Sequence, residues 1–184
     1  PYFKSGIKPL SLKIETNYHR AAPRGIGNAK AIGNYSASLY PLAMAKKEGY
    51  DEVIYLDSIA GEMIEELGSA NIFICKDGII KTPKLSGSIL DGVTRDSVIK
   101  IASDLLDIRV EQTDIHFKEM LEADEVFCTG TAVTITPVGK ITHNNQVFKF
   151  GNGMGPIAKK CKKLLTGIQR QELDDPFGWL HFVD

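Results

Sequence analysis

Gly25-Ile26-Gly27-Asn28-Ala29-Lys30-Ala31-Ile32-Gly33-Asn34-Tyr35 sets a single lysine among small residues. A glycine has no Cβ, so Gly25, Gly27 and Gly33 leave room for a bulky planar group beside the backbone. A lysine that attacks such a group must be partly neutral at working pH. Its free pKa is about 10.4, so burial or a cationic neighbour has to lower it. The bland alternative is a solvated loop lysine, the usual fate of this residue. Two phosphate-loop patterns start here and fail. Gly25-x-Gly27 opens a dinucleotide fingerprint, but Lys30 occupies the third glycine position. A P-loop needs Gly-Lys followed by Ser or Thr, and Lys30 stands between Ala29 and Ala31.

Outward from this stretch, the chain reads as one domain. Its 184 residues suffice for a sizeable core, and 43% hydrophobic with 24% charged residues is ordinary for a globular protein. A net charge of -1 provides no basic field for nucleic acid or an anionic membrane. No apolar run approaches the roughly 20 residues of a membrane-spanning helix. Cys75, Cys128 and Cys161 are scattered and odd in number, which argues against a disulfide framework and for a reducing, cytoplasmic or otherwise intracellular setting. His19, His116, His143 and His181 show no zinc-type spacing, so no metal site is expected.

Periodicity then supplies the elements. Residues 10–16 alternate as a half-buried strand, which the Ala22-Pro23-Arg24-Gly25 stretch breaks off. A helix is predicted from Tyr35 to about Lys47, with Leu39, Leu42 and Ala43 on one face and Gly49 as its stop. Val53–Leu56 reads as a strand, and Asn71–Cys75 with Ile79–Thr82 as a hairpin about Lys76-Asp77-Gly78. Val98, Ile101, Ala102 and Leu105 mark a helix from near Thr94. Strands are predicted near Arg109–Thr113, Glu125–Thr129 and Ala132–Pro137. A last helix, about Gly155–Gln169, aligns Ile157, Cys161, Leu164, Leu165 and Ile168. Trp179 to Val183 reads as a short final strand. The result is an α+β domain, mixed but rich in antiparallel pairs.

Four blocks in order give the chain a family. They are the lysine block running on into Gly33-Asn34-Tyr35, then Glu66-Leu67-Gly68-Ser69-Ala70-Asn71, Gly87–Arg95, and Thr129-Gly130-Thr131-Ala132. Together they resemble the branched-chain amino acid aminotransferases, fold-type IV pyridoxal phosphate enzymes, from Pro1-Tyr2-Phe3 to the Gly178-Trp179 region. The resemblance implies a large domain with a mostly antiparallel pseudo-barrel sheet and flanking helices. It implies transamination of leucine, isoleucine and valine with 2-oxoglutarate, by a ping-pong route, in a homodimer.

The same resemblance assigns roles. Lys30 would form the internal aldimine and later carry a proton. Tyr35 would hydrogen-bond the cofactor's phenolic oxygen, and Glu66 would pair with its pyridine nitrogen. Val93 and Thr94, with Leu90 and Gly92 beside them, would hold the phosphate at a helix start, where free N–H groups favour an anion. An ordinary cap by Asp91 or Thr94 would explain the same residues. Gly130 and Thr131 would add phosphate contacts, Ala132 would offer its N–H to the substrate carboxylate, and Ser69 and Ala70 would line the site.

Two departures matter. Animal mitochondrial members carry a redox Cys-x-x-Cys where this chain has Val133 and Thr136, so thiol control is not expected there. Family members also have a smaller N-terminal domain that supplies a phosphate-binding arginine and much of the side-chain pocket. This chain reads as the large cofactor-binding domain alone, weakly active or inactive by itself, and Arg20, Arg24 and Arg95 do not replace that arginine on motif grounds. Two other readings stay open: another fold-type IV enzyme, such as a D-amino acid aminotransferase or aminodeoxychorismate lyase, and a non-catalytic structural or interaction domain.

Overall fold

The computed structural model describes residues 8–183, so the opening Pro1-Tyr2-Phe3 lies outside the described part. The strands are β1 (Leu10–Glu15), β2 (Glu52–Leu56), β3 (Ile64–Leu67), β4 (Asn71–Lys76), β5 (Ile79–Pro83), β6 (Val110–Thr113), β7 (Glu125–Gly130), β8 (Thr134–His143) and β9 (Gln146–Lys149). The helices are α1 (Ser36–Lys47), α2 (Val93–Lys100), α3 (Phe117–Leu121) and α4 (Pro156–Gln169). All nine strands join one sheet in the order β3-β2-β1-β8-β7-β4-β5-β6, with β9 on β8. Among the pairs, β1–β2, β1–β8 and β5–β6 are parallel and the others antiparallel. The α+β class and the antiparallel bias are as the sequence predicts.

The sheet curls. β3 is the last strand of the order, yet the Leu67 N–H bonds Ala70 O just before β4. That link draws one edge back toward the middle of the sheet and makes a half-barrel. Its two faces carry separate apolar clusters. Leu12, Ile14, Ile54, Leu67, Ile72 and Ile74 fill one. Phe73, Cys75, Ile80 and Phe127 meet α2 and α4 in the other, where the Phe73 and Phe127 rings stack at 5.0 Å. Successive residues of β4 therefore serve opposite faces that are both covered, which is why its sequence is continuously apolar. Among the described residues no helix is long and apolar enough to cross a membrane.

Several predicted elements shift. In α1 the buried residues are Ser38, Pro41 and Ala45, while Leu39 is 67% exposed and Ala43 is exposed. Ala45 packs with Val53, Tyr55 and Tyr50, so the helix turns its small side chains to the sheet. α2 passes into a π-helical turn at Ile101–Leu105, closed by Leu106 N–H to Ile101 O. The extra residue in that turn swings Leu105 out to 40% exposure, and Leu106 packs in its place. β8 runs past its predicted end: Gly139 sits where the β1–β8 register shifts, Pro137 stays paired with Phe127, and neither breaks the strand. Residues 179–183 form no strand; Trp179 stacks on Phe177 instead and Val183 is exposed. β3, β9 and α3 have no counterpart in the periodicity. The hairpin at Asp77-Gly78 is as predicted, with both residues at positive φ.

The loop from β2 to β3, which aims Glu66, closes on Asp57. Its carboxylate accepts from the backbone N–H groups of Ile59, Ala60, Glu62 and Met63 at 2.8–3.1 Å. Burial raises the Asp57 carboxyl, but these four donors outweigh it and hold it down to about 2. A folded value below the ordinary 3.8 gives stability that is complete above the ordinary value and is lost as pH falls through about 2. Asp57→Ala is expected to cost about 2 kcal/mol at neutral pH, and less in strong acid, in urea unfolding at stepped pH.

Candidate active site

The ends of β3, β4 and β7, the Gly27–Lys30 loop and the start of α2 enclose a cleft of about 350 Å³. That volume is at the lower end for a small-molecule site.

The loop that carries Lys30 has no regular structure until the 3-10 turn Ile32–Tyr35. Cross-bonds shape it. Asn34 Nδ2 donates to Ile26 O at 2.6 Å and to Ala29 O at 2.7 Å, and the Asn28 N–H reaches Gly87 O at 3.1 Å. Gly27 packs so tightly that a Cβ there would stand 2.6 Å from both Ala21 Cβ and Ser88 O. The loop thus presents Lys30 to the cleft, with Tyr35 on the same wall. Lys30 itself is exposed, so the burial expected on chemical grounds is not present around it in the described residues.

Glu66 also lines the cleft and is its most enclosed acid, at 3% exposure. Glu66 and its neighbour Glu65 are both buried rather than surface carboxylates. Glu66 Oε1 stands 2.7 Å from Arg20 Nη2 and accepts the Leu90 N–H at 3.0 Å. Oε2 accepts from Asn71 Nδ2 at 2.9 Å, and the same amide donates to Leu90 O at 2.8 Å. Burial pushes the Glu66 carboxyl up to about 7, against the pull of Arg20 and the Leu90 N–H. It is therefore poised to hold or yield a proton near neutrality.

At the third corner α2 begins at Gly92, with no side chain capping it. Asp91 points instead toward Arg95, at 3.7 Å, so a cap by Asp91 or Thr94 is not what fills this end. Val93 and Thr94 line the cleft with first-turn N–H groups that no side chain satisfies. Gly130 and Thr131 line the same cleft, next to Thr129, whose buried Oγ1 has no partner.

Lys30, Tyr35, Glu66, Ser69, Ala70, Leu90, Gly92, Val93, Thr94, Gly130 and Thr131 thus converge on one cleft. Ala132 is exposed and is not part of its lining. Arg20, Asn28, Asn71 and Thr129 line the cleft too; the last three sit inside the motif blocks without an assigned role, and Arg20 lies outside them. Asn71 sits inside the glutamate block and is recoverable from it. Arg20 carries no local sign, because its partners Glu66 and Ser88 are distant in sequence. Among the described residues no group of His, Cys, Asp and Glu side chains is set to hold a metal.

The cleft fits pyridoxal 5′-phosphate. It offers a lysine, a buried carboxyl for a ring nitrogen, uncapped helix N–H groups for a phosphate and an unpartnered threonine hydroxyl.

The comparisons with known proteins point the same way. The chain is 45% identical over 179 residues to branched-chain-amino-acid aminotransferase 5, chloroplastic, of Arabidopsis thaliana, covering 97% of this chain and 43% of that one. Against branched-chain-amino-acid aminotransferase 2 of Bacillus subtilis it is 42% identical over 185 residues, covering 97% and 51%. Among solved structures it superposes on the Escherichia coli branched-chain amino acid aminotransferase with a TM-score of 0.88 at 34% identity, covering all of this chain and 59% of that one. It matches the Thermobaculum terrenum branched-chain amino acid aminotransferase, solved in its PLP-bound holo-form, with a TM-score of 0.78 at 27% identity, covering 87% and 50%. The chain thus spans about half the length of these relatives. Residues 4–141 match the amino-transferase class IV family, and with the curled sheet and the lysine-bearing cleft already in place, the chain belongs to that family.

Proposed function

We propose that this chain forms the cofactor-binding part of a pyridoxal phosphate-dependent aminotransferase that acts on branched-chain L-amino acids and 2-oxoglutarate. The observation that carries the reading is the convergence of Lys30, Glu66 and the uncapped start of α2 on one cleft. The names of the relatives support the substrate class.

When bound, pyridoxal phosphate supplies an aldehyde carbon and a ring that accepts the electron pair released at the substrate's Cα. Lys30 would provide the amine that holds this carbon, and its amine would be the group that moves a proton at the substrate's Cα. Glu66 holds a proton against the ring nitrogen. Its raised carboxyl, clamped by Arg20 and Asn71, suits that role. Tyr35 bonds the phenolic oxygen. The N–H groups of Val93 and Thr94, with Gly92 and Leu90 shaping the approach, take the phosphate with Gly130 and Thr131. Ser69 and Ala70 border the substrate. Ala132 offers its N–H to the substrate carboxylate from just outside the cleft lining.

The whole protein completes this site. Ile32, in the turn that carries Tyr35, and Val93, on the cleft wall, are 91% and 81% exposed. Both stand at the cleft, where further protein would cover them. We assign that cover to the rest of a longer chain, a smaller domain closing the substrate side, and to a second copy in a homodimer. Three buried, unpaired cysteines support a reducing intracellular compartment.

The test is an absorbance titration of the chain with pyridoxal 5′-phosphate, then borohydride reduction and peptide mapping. The expected result is a visible band and a cofactor-mass adduct on Lys30. Assays of the longer protein with L- and D-leucine and 2-oxoglutarate are expected to give turnover with the L form alone. An adduct spread over surface lysines, or turnover of D-leucine, overturns the reading.

A further inference from the structure

Glu65 precedes Glu66 on β3 and has no part in the chemistry above. It is 6% exposed; its Oε1 accepts from Ser88 Oγ, and its Oε2 has no partner. Burying a carboxyl is costly, so one kept in place this way points to a use.

Ser88 is 1% exposed and engages three residues. Its hydroxyl meets Glu65 and lies 2.7 Å from that of Ser86. Its carbonyl accepts from Arg20 Nη2, the atom that also holds Glu66 and donates to Gly27 O at 3.0 Å. The Gly87–Ser88 segment is moreover the surface on which the lysine loop rests. The Asn28 N–H bonds Gly87 O, and Gly27 abuts Ser88. Adjacent carboxyls of one short strand therefore grip two ends of one assembly, Glu66 through Arg20 and Glu65 through Ser88.

We infer that Glu65 is a positioning residue that locks Gly87–Ser88 to β3 through the Ser88 hydroxyl, fixing at once the Arg20 clamp on Glu66 and the loop that carries Lys30. Its value to catalysis rests on the function proposed above; the mechanical link does not. If the link breaks, the loop between Arg20 and Ala31 loses its footing while the strands and helices stay in place.

Trypsin cleavage of the full chain, free of cofactor, reads the link directly. Arg24 and Lys30 are exposed sites in the loop, and Lys149 on β9 is an exposed site remote from it. Ser88→Ala is expected to speed cleavage after Arg24 and Lys30 about tenfold, the worth of one hydrogen bond to a charged group, with Lys149 unchanged. Ser88→Thr, which keeps the hydroxyl, restores the original rate. Glu65→Met keeps the volume but offers Ser88 no acceptor, and it serves as the second arm if Ser88→Ala does not fold. In parallel, the pyridoxal 5′-phosphate Kd from absorbance is expected to weaken about tenfold in Ser88→Ala and to recover in Ser88→Thr. Unchanged cleavage, or equal acceleration at Lys149, overturns the inference. A loosened loop with no cofactor uptake even by the unsubstituted chain leaves the link standing and removes the proposed function instead.

Discussion

Lys30→Ala in the longer protein is expected to lower kcat/KM for L-leucine by about 10³-fold or more. On the proposed function the variant would lose both the amine that holds the cofactor carbon and the proton carrier at the substrate's Cα, and proton transfer alone is worth about 10²–10⁴-fold. Stability should change little, since Lys30 is exposed and its loop is built from contacts of its neighbours. Lys30→Arg separates charge from chemistry. It keeps a cation in the cleft but gives no usable nucleophile, so the same loss is expected from it. The borohydride-trapped adduct should vanish from the 25–35 region in both variants. If Lys30 were only a solvated loop residue, both would retain full turnover, and the non-catalytic reading would take over.

How much of this is legible in the sequence depends on how local the cause is. The Asp77-Gly78 hairpin follows from two residues that tolerate positive φ, and it is readable from the dipeptide. The continuous apolar run of β4 reads as a strand for a similar reason, since each face of the sheet buries its share. Non-local causes are hidden. The face of α1 departs from the periodicity because close packing on Val53 and Tyr55 favours Ala45 over larger leucines, a choice made by the partner strand. Leu105 departs because one π-helical turn resets the helical phase, and a 3.6-residue count cannot foresee it. Trp179–Val183 has strand-like composition but no strand beside it. In the cleft, Lys30, Glu66 and Thr94 are recognisable through their blocks. The burial of Glu66 is not, because it depends on Arg20 and Leu90, which reach it only when the sheet has curled. Arg20 escapes for that reason as well.

Glu66 carries the other large effect, and two substitutions separate its structural and chemical parts. Glu66→Ala leaves the Arg20 guanidinium, whose side chain is only 4% exposed, without its counter-charge. Stranding one member of a buried ion pair costs about 3–5 kcal/mol. Arg20 keeps the carbonyls of Gly27 and Ser88, so the lower end, about 3 kcal/mol, is the expected loss in urea unfolding. Glu66→Gln keeps an acceptor for the Leu90 N–H and for Arg20 but loses the counter-charge and turns an amide NH2 toward Asn71 Nδ2, so it should unfold about 1–2 kcal/mol below the parent at neutral pH, a smaller loss than that of Glu66→Ala. Its larger loss is chemical on the proposed function, because an amide could not hold or yield a proton for a ring nitrogen. Turnover is expected to fall about 10²–10³-fold, within the range for a misplaced proton. A pH signature goes with it. The folded carboxyl sits at about 7 against an ordinary 4.5, so the native state binds the extra proton between those values. Its contribution is complete below about 4.5 and is lost as pH rises through about 7, giving a falling slope of stability with pH. Glu66→Gln removes the titrating group, and that part of the slope should flatten between about pH 4.5 and 7 while the acid limb set by Asp57 remains. Unchanged turnover with an unchanged slope would mean that Glu66 neither titrates in this range nor meets the ring, and the cleft would need another carboxyl for the role.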